Sequence, residues 1–99
     1  MKQKLNDNML EKFYKDRVIL YESEIKAIRI SKLDDKFVFQ NLSEQKLEEF
    51  ITDDINEAIN DAVSYFSNLL KRRDARVSSS KITFEIDKIK DLHQNKNYI

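Results

Sequence analysis

Three pairs of adjacent carboxylates, Asp34 with Asp35, Glu48 with Glu49 and Asp53 with Asp54, are the groups whose type and spacing invite chemistry: a general acid and base, or ligands for a hard cation. Neighbouring helix positions point about 100° apart, which suits a shared metal poorly, and a solvated helix face or a turn accounts for such pairs equally well. His93 is the single histidine and has neither a second histidine nor a cysteine to join it, so it reads as a surface residue. No serine then has the companions that nucleophilic attack needs. Cysteine is absent, which removes disulfides, thiolate metal sites and a cysteine nucleophile. Glycine and proline are absent too, and with them the phosphate-cradling loops of P-loop and Rossmann proteins. The expectation is a non-enzymatic protein with no metal, no cofactor and no small-molecule substrate.

What remains is electrostatic. The chain carries 18 basic and 18 acidic residues, but unevenly. Over 43–61, Glu44, Glu48, Glu49, Asp53, Asp54, Glu57 and Asp61 face the single base Lys46; over 71–81, Lys71, Arg72, Arg73, Arg76 and Lys81 face only Asp74. The basic group complements the dipole at the end of a helix, or it contacts phosphate together with Lys2, Lys4, Lys12, Lys15 and Arg17 nearer the N-terminus; both readings stand.

The elements that position these groups follow from apolar spacing. Leu5, Met9, Leu10, Phe13, Tyr14, Leu20, Tyr21 and Ile25 fit one helical face and predict a helix over 4–25, while the run Val18, Ile19, Leu20, Tyr21 also fits a short buried strand. Segments 26–31 and 36–41 alternate, with Ile28 and Ile30 sharing one face and Phe37 and Phe39 another, which predicts a β-hairpin with one solvated face, turned at Lys32, Leu33, Asp34 and Asp35. From Leu47 through Phe50, Ile51, Ile55, Ala58, Ile59, Ala62, Val63 and Phe66 to Leu69 and Leu70, the spacing predicts a long amphipathic helix over 43–73. Ser43 is its expected N-cap, and Leu42 is placed to staple against Leu47. Alternation over 81–86 predicts a short strand, and 93–99 reads as a tail.

Such a helix would be about 45 Å long, whereas a hairpin with strands of about six residues covers about 20 Å of it. The uncovered apolar stripe and open sheet edges predict a homodimer, with Ile28, Ile30, Phe37, Phe39, Ile55, Ile59, Ala62 and Phe66 as core and dimer residues. One domain over 1–80 and an extension over 81–99 are expected. No apolar run is long enough to span a bilayer, and a cytoplasmic protein with no membrane partner is expected.

The order helix, hairpin, long helix, with Leu47, Glu48, Glu49, Phe50 and Ile51 leading to Ile55, Asn56, Glu57, Ala58, Ile59, Asn60, Asp61 and Ala62, and Ala75, Arg76, Val77, Ser78 and Ser79 closing it, resembles the YbaB/EbfC family of small bacterial nucleoid-associated proteins. The chain reads as a diverged member, because its hairpin turn lacks the family's usual glycine. The resemblance implies an α+β fold with an αββα protomer, a tweezer-shaped homodimer, and binding to double-stranded DNA with little sequence preference in the nucleoid. On that reading Lys71, Arg72, Arg73 and Arg76 with Lys4, Lys12, Lys15 and Arg17 contact DNA phosphates. The alternative is an adaptor that receives a protein partner on the acidic and apolar faces of the long helix.

Overall fold

The computed structural model describes residues 3–24, 27–42, 48–72 and 78–94. Asn6 caps helix α1 (Asp7–Asp16), its side-chain oxygen accepting from the Met9 backbone N–H at 2.9 Å. The helix ends at Asp16 and does not run on to 25, and strand β1 (Val18–Glu22) takes up the strand-favouring run. Asp16 is a poor residue for the negative end of a helix dipole, and Val18 to Glu22 gain a ladder of hydrogen bonds to a neighbouring strand.

That neighbour is β2 (Ile28–Leu33), which pairs in turn with β3 (Lys36–Asn41), and β3 with β4 (Glu48–Thr52), giving an antiparallel sheet in the order β1-β2-β3-β4. Ser23 closes the first connection by accepting from the backbone N–H groups of Ala27 and Ile28 at 2.9 and 3.1 Å. The predicted hairpin is β2 and β3, with a turn at Asp34 and Asp35 in which Asp34 takes φ 56°. Aspartate is among the few non-glycine residues that enter this region at modest cost, so the turn forms without glycine.

The expected solvated face is a correction, because both faces of the sheet are covered. Phe13 of α1 packs on Leu33, Val38 and Ile51, and Leu5 and Met9 join them, so Ser31 and Val38 are fully buried on that side. The opposite face, with Tyr21, Ile28, Ile30 and Phe39, carries helices α2 (Ile55–Lys71) and α3 (Ser79–Gln94). The chain is α+β in three layers, with α1 on one side of the sheet and α2 and α3 on the other.

The long helix is the second correction. Residues 48–52 form β4, and the helix begins at Ile55 and is about 25 Å long. Phe50 points to the α2 side and Ile51 to the α1 side, a period of two that the step pattern of apolar residues concealed. The N-cap is Asp54, whose Oδ1 accepts from the Asn56 N–H at 2.9 Å, while Thr52 Oγ1 accepts from the Asp54 N–H at 3.1 Å and donates to Glu57 Oε1 at 2.6 Å. The predicted cap Ser43 and staple residue Leu47 lie outside the described residues. Asp54→Ala is expected to lower stability by about 0.5–2 kcal/mol in urea unfolding, because it strips the side-chain acceptor from the Asn56 N–H in the first turn.

The third correction is at 81–86, which is helical. Ile82, Glu85, Ile89 and Leu92 share the buried face of α3, and Phe84, which a strand would place beside Ile82, is 52% exposed. His93 falls in the last turn of α3, and 95–99 lie outside the described residues. The element order is therefore αββββαα and not αββα, and α3 covers much of the apolar face of α2 that had lacked a cover.

Candidate interaction groove

The residues expected to contact DNA are divided between two sides of the molecule. Lys12 and Lys15 are on α1, Lys4 precedes it, and Lys71 and Arg72 end α2 across the sheet; Arg73 and Arg76 lie outside the described residues. Lys12 forms an ion pair with Asp34 across to the hairpin turn, and this partner raises its pKa. Arg17 is half-buried, with its guanidinium 4.9 Å from the Phe13 ring centre and 5.1 Å from that of Tyr14, and its Nη1 has no hydrogen-bond partner among the described residues. Lys4, Lys15, Lys71 and Arg72 are exposed.

Of the expected core, Ile28, Ile30, Phe39, Ile59, Ala62 and Phe66 are buried together, and Ile55 packs against them half-buried. Phe37 instead floors a shallow cleft of about 530 Å³ with Ile55, rimmed by Lys32, Asp34, Asp35, Asp53 and Asp54. Two of the carboxylate pairs thus meet at one end of the molecule. Even so, among the described residues no three acidic or histidine side chains are placed to hold a metal ion.

The third pair is split by the alternation of β4. Glu49 accepts from Gln40 Nε2 at 3.0 Å on the α1 face and borders one end of a groove, while Glu48 is exposed at the mouth of that groove. This groove is made of two adjoining clefts, of about 430 and 380 Å³, that share Phe39, Glu48 and Asp61. Its floor is the stacked pair Phe39 and Phe50, with ring centres 5.1 Å apart and planes 22° from parallel. One wall is α2, through Asp61, Ser64, Tyr65 and Asn68; Lys4 and Leu5 stand at one end and Asn41 at the other. An apolar floor with carboxylates and small polar groups on its rim can hold an apolar anchor, bond a peptide backbone and attract a cation.

A second polar constellation is buried. Glu85, 2% exposed, accepts from the Tyr21 hydroxyl at 2.7 Å and from the Glu24 backbone N–H at 3.1 Å through Oε2. Lys88 Nζ lies 4.0 Å from the other oxygen of Glu85 and 3.9 Å from Glu24. Burial first, and the Glu85 carboxylate second, push the Tyr21 hydroxyl well above the ordinary tyrosine range. The cluster ties α3 to the end of β1, and neither Tyr21 nor Glu85 lines the groove or the hairpin cleft. Its signal in the sequence was a carboxylate at 85 on a face otherwise made of Ile82, Ile89 and Leu92, since a charge on an apolar stripe has to be paired.

The geometry is that of a three-layer α+β module with an open acidic groove. Compared with protein-family models, curated proteins and solved structures, the chain matches none.

Proposed function

We propose that this protein is a non-enzymatic adaptor whose groove along α2 takes a cationic, extended segment of a protein partner. The observation that supports the reading is the pairing of an aromatic floor, Phe39 on Phe50, with the acidic residues Glu48 and Asp61 at its rim. A partner segment would seat an aliphatic or aromatic anchor on the floor and bring lysine or arginine to the rim. Ser64 and Asn68, both exposed on the wall, are suited to bonding its backbone.

Binding of double-stranded DNA by a homodimer, which the YbaB/EbfC resemblance implies, is the second reading. It is favoured by the exposure of Lys71 and Arg72 at the end of α2.

One set of titrations separates the two. Peptides combining arginine or lysine with leucine or phenylalanine are expected to bind in fluorescence anisotropy, with affinity falling as salt rises. Glu48→Lys, which reverses a rim charge, and Ser64→Trp, which fills the groove from an exposed position, are each expected to weaken binding about tenfold, equivalent to about 1.4 kcal/mol. Duplex retarded at low salt without regard to sequence, released by Lys71→Glu with Arg72→Glu, and no peptide bound, would replace this reading with DNA binding.

A further inference from the structure

The two edges of the sheet are finished differently. At β4 the outer edge is met by Gln3, which exchanges two backbone hydrogen bonds with Ile51 at 2.9 and 2.8 Å. The outer edge of β1 is paired by no described residue. Edges that must stay unpaired usually carry lysine, proline or inward-facing charge. β1 reads Val18, Ile19, Leu20, Tyr21, Glu22, with no such residue before its last.

The exposed apolar surface is concentrated at the same place. Of six large hydrophobic side chains exposed among the described residues, three fall within positions 14–19: Tyr14 at 60%, Val18 at 60% and Ile19 at 44%. Tyr14 lies on the α1 side with the Arg17 guanidinium over its ring, Ile19 shares that side through its register with Ser31, and Val18 faces the other way at the same open edge. An open strand edge flanked by apolar side chains favours association through that edge.

We propose that β1 pairs antiparallel with β1 of a second copy of this chain, about a two-fold axis close to Ile19. The charges of the strand select a second copy as the occupant. Antiparallel self-pairing lays the start of one strand against the end of the other, which sets Arg17 of each copy near Glu22 of the other. Both residues lie on the α1 side of the sheet, Arg17 over the α1 rings and Glu22 in register with Arg29, which it bonds at 2.9 Å. The two-fold axis creates this opposite-charge contact twice, and brings Val18, Ile19 and Tyr14 of the two copies together. The bulge between Ile19 and Tyr21 limits the regular ladder to a few bonds. A five-residue strand and one aromatic ring make a small interface, below about 1,200 Å² in total, so the dimer dissociates on dilution. This interface does not depend on what the groove binds.

The absence of cysteine makes the test direct. In Ile19→Cys the only thiol sits near the axis, where opposed Cα atoms of an antiparallel pair are about 4.5–5.5 Å apart, within disulfide reach. Mild oxidation is expected to convert most of this variant to a covalent dimer, while Phe84→Cys, exposed on α3, stays monomeric under the same conditions. In sedimentation velocity the unaltered chain is expected to shift from monomer to dimer with concentration. Val18→Lys is expected to remain monomeric over that range with unchanged thermal unfolding, since its side chain is already exposed. A monomer at every concentration, equal cross-linking at 19 and 84, or a dimer indifferent to Val18→Lys would each overturn the proposal.

Discussion

Phe66→Ala is expected to lower the free energy of unfolding by about 3–5 kcal/mol, and Ile89→Ala by about 2–5 kcal/mol, in one and the same cooperative transition. Both side chains are fully buried, Phe66 on α2 and Ile89 on α3, in the core that includes Ile28, Ile30 and Phe39 of the sheet. Truncation removes apolar area from the interior and leaves a cavity that close-packed neighbours fill only in part. A domain of this size is stable by about 5–15 kcal/mol, so either variant consumes a large share of the margin. The measurement is urea unfolding followed by circular dichroism and by tyrosine fluorescence. The informative comparison is with Leu70→Ala, 41% exposed near the end of α2, which is expected to cost under about 1 kcal/mol. Were α3 a loosely attached extension, Ile89→Ala would leave the main transition in place and abolish only a separate, weaker one.

What the residues disclosed about the fold, and what they hid, divides along the range of the interactions. The hairpin was legible because Ile28, Ile30, Phe37 and Phe39 alternate over a short distance and two aspartates punctuate them. The helix from Ile55 to Lys71 was legible from Ala58, Ile59, Ala62 and Phe66, which hold a helical period that no strand shares. Its start was misplaced because Leu47, Phe50 and Ile51 fit a helical step as well as the two faces of a strand, and the ladder between β3 and β4 decides between them. At 81–86 the error ran the other way, since Ile82, Phe84 and Ile86 alternate by chance while Ile82, Ile89 and Leu92 carry the burial. The solvated hairpin face failed for a third reason: covering Ser31 and Val38 depends on where α1 docks, which no local pattern encodes.

The site was less legible than the fold. Glu48 and Asp61 stand out as acidic residues, but the aromatic floor between them needs Phe39 and Phe50 stacked across β3 and β4, a pairing that the helical spacing of Leu47, Phe50 and Ile51 hides. The basic residues looked like one surface because two groups of them lie in one short chain. Folding puts α1 and the end of α2 on opposite sides of the sheet, a separation set by topology.

Stability is expected to fall as pH rises above about 10, and Tyr21→Phe to remove part of that slope. Burial and the neighbouring Glu85 carboxylate raise the Tyr21 pKa in the folded chain, so the hydroxyl keeps its proton there. In the unfolded chain it ionises near its ordinary value of about 10. Below that pH both states hold the proton and this group contributes no pH dependence. Above it the unfolded state binds fewer protons than the folded one, so stability falls by up to about 1.4 kcal/mol per pH unit from this group alone. Lysines and other tyrosines also titrate in this range, but they do so in both proteins, and the difference between the two slopes isolates Tyr21. The substitution has its own cost at pH 7, expected to be about 1–3 kcal/mol, because Glu85 loses the hydroxyl and keeps only the Glu24 N–H on that oxygen. Urea unfolding at pH 7, 9 and 10.5 therefore reads two quantities from one pair of proteins. No cost at pH 7 together with an unchanged alkaline slope would mean that the hydroxyl ionises freely in the folded chain, and the buried link from β1 to α3 would then be incorrect.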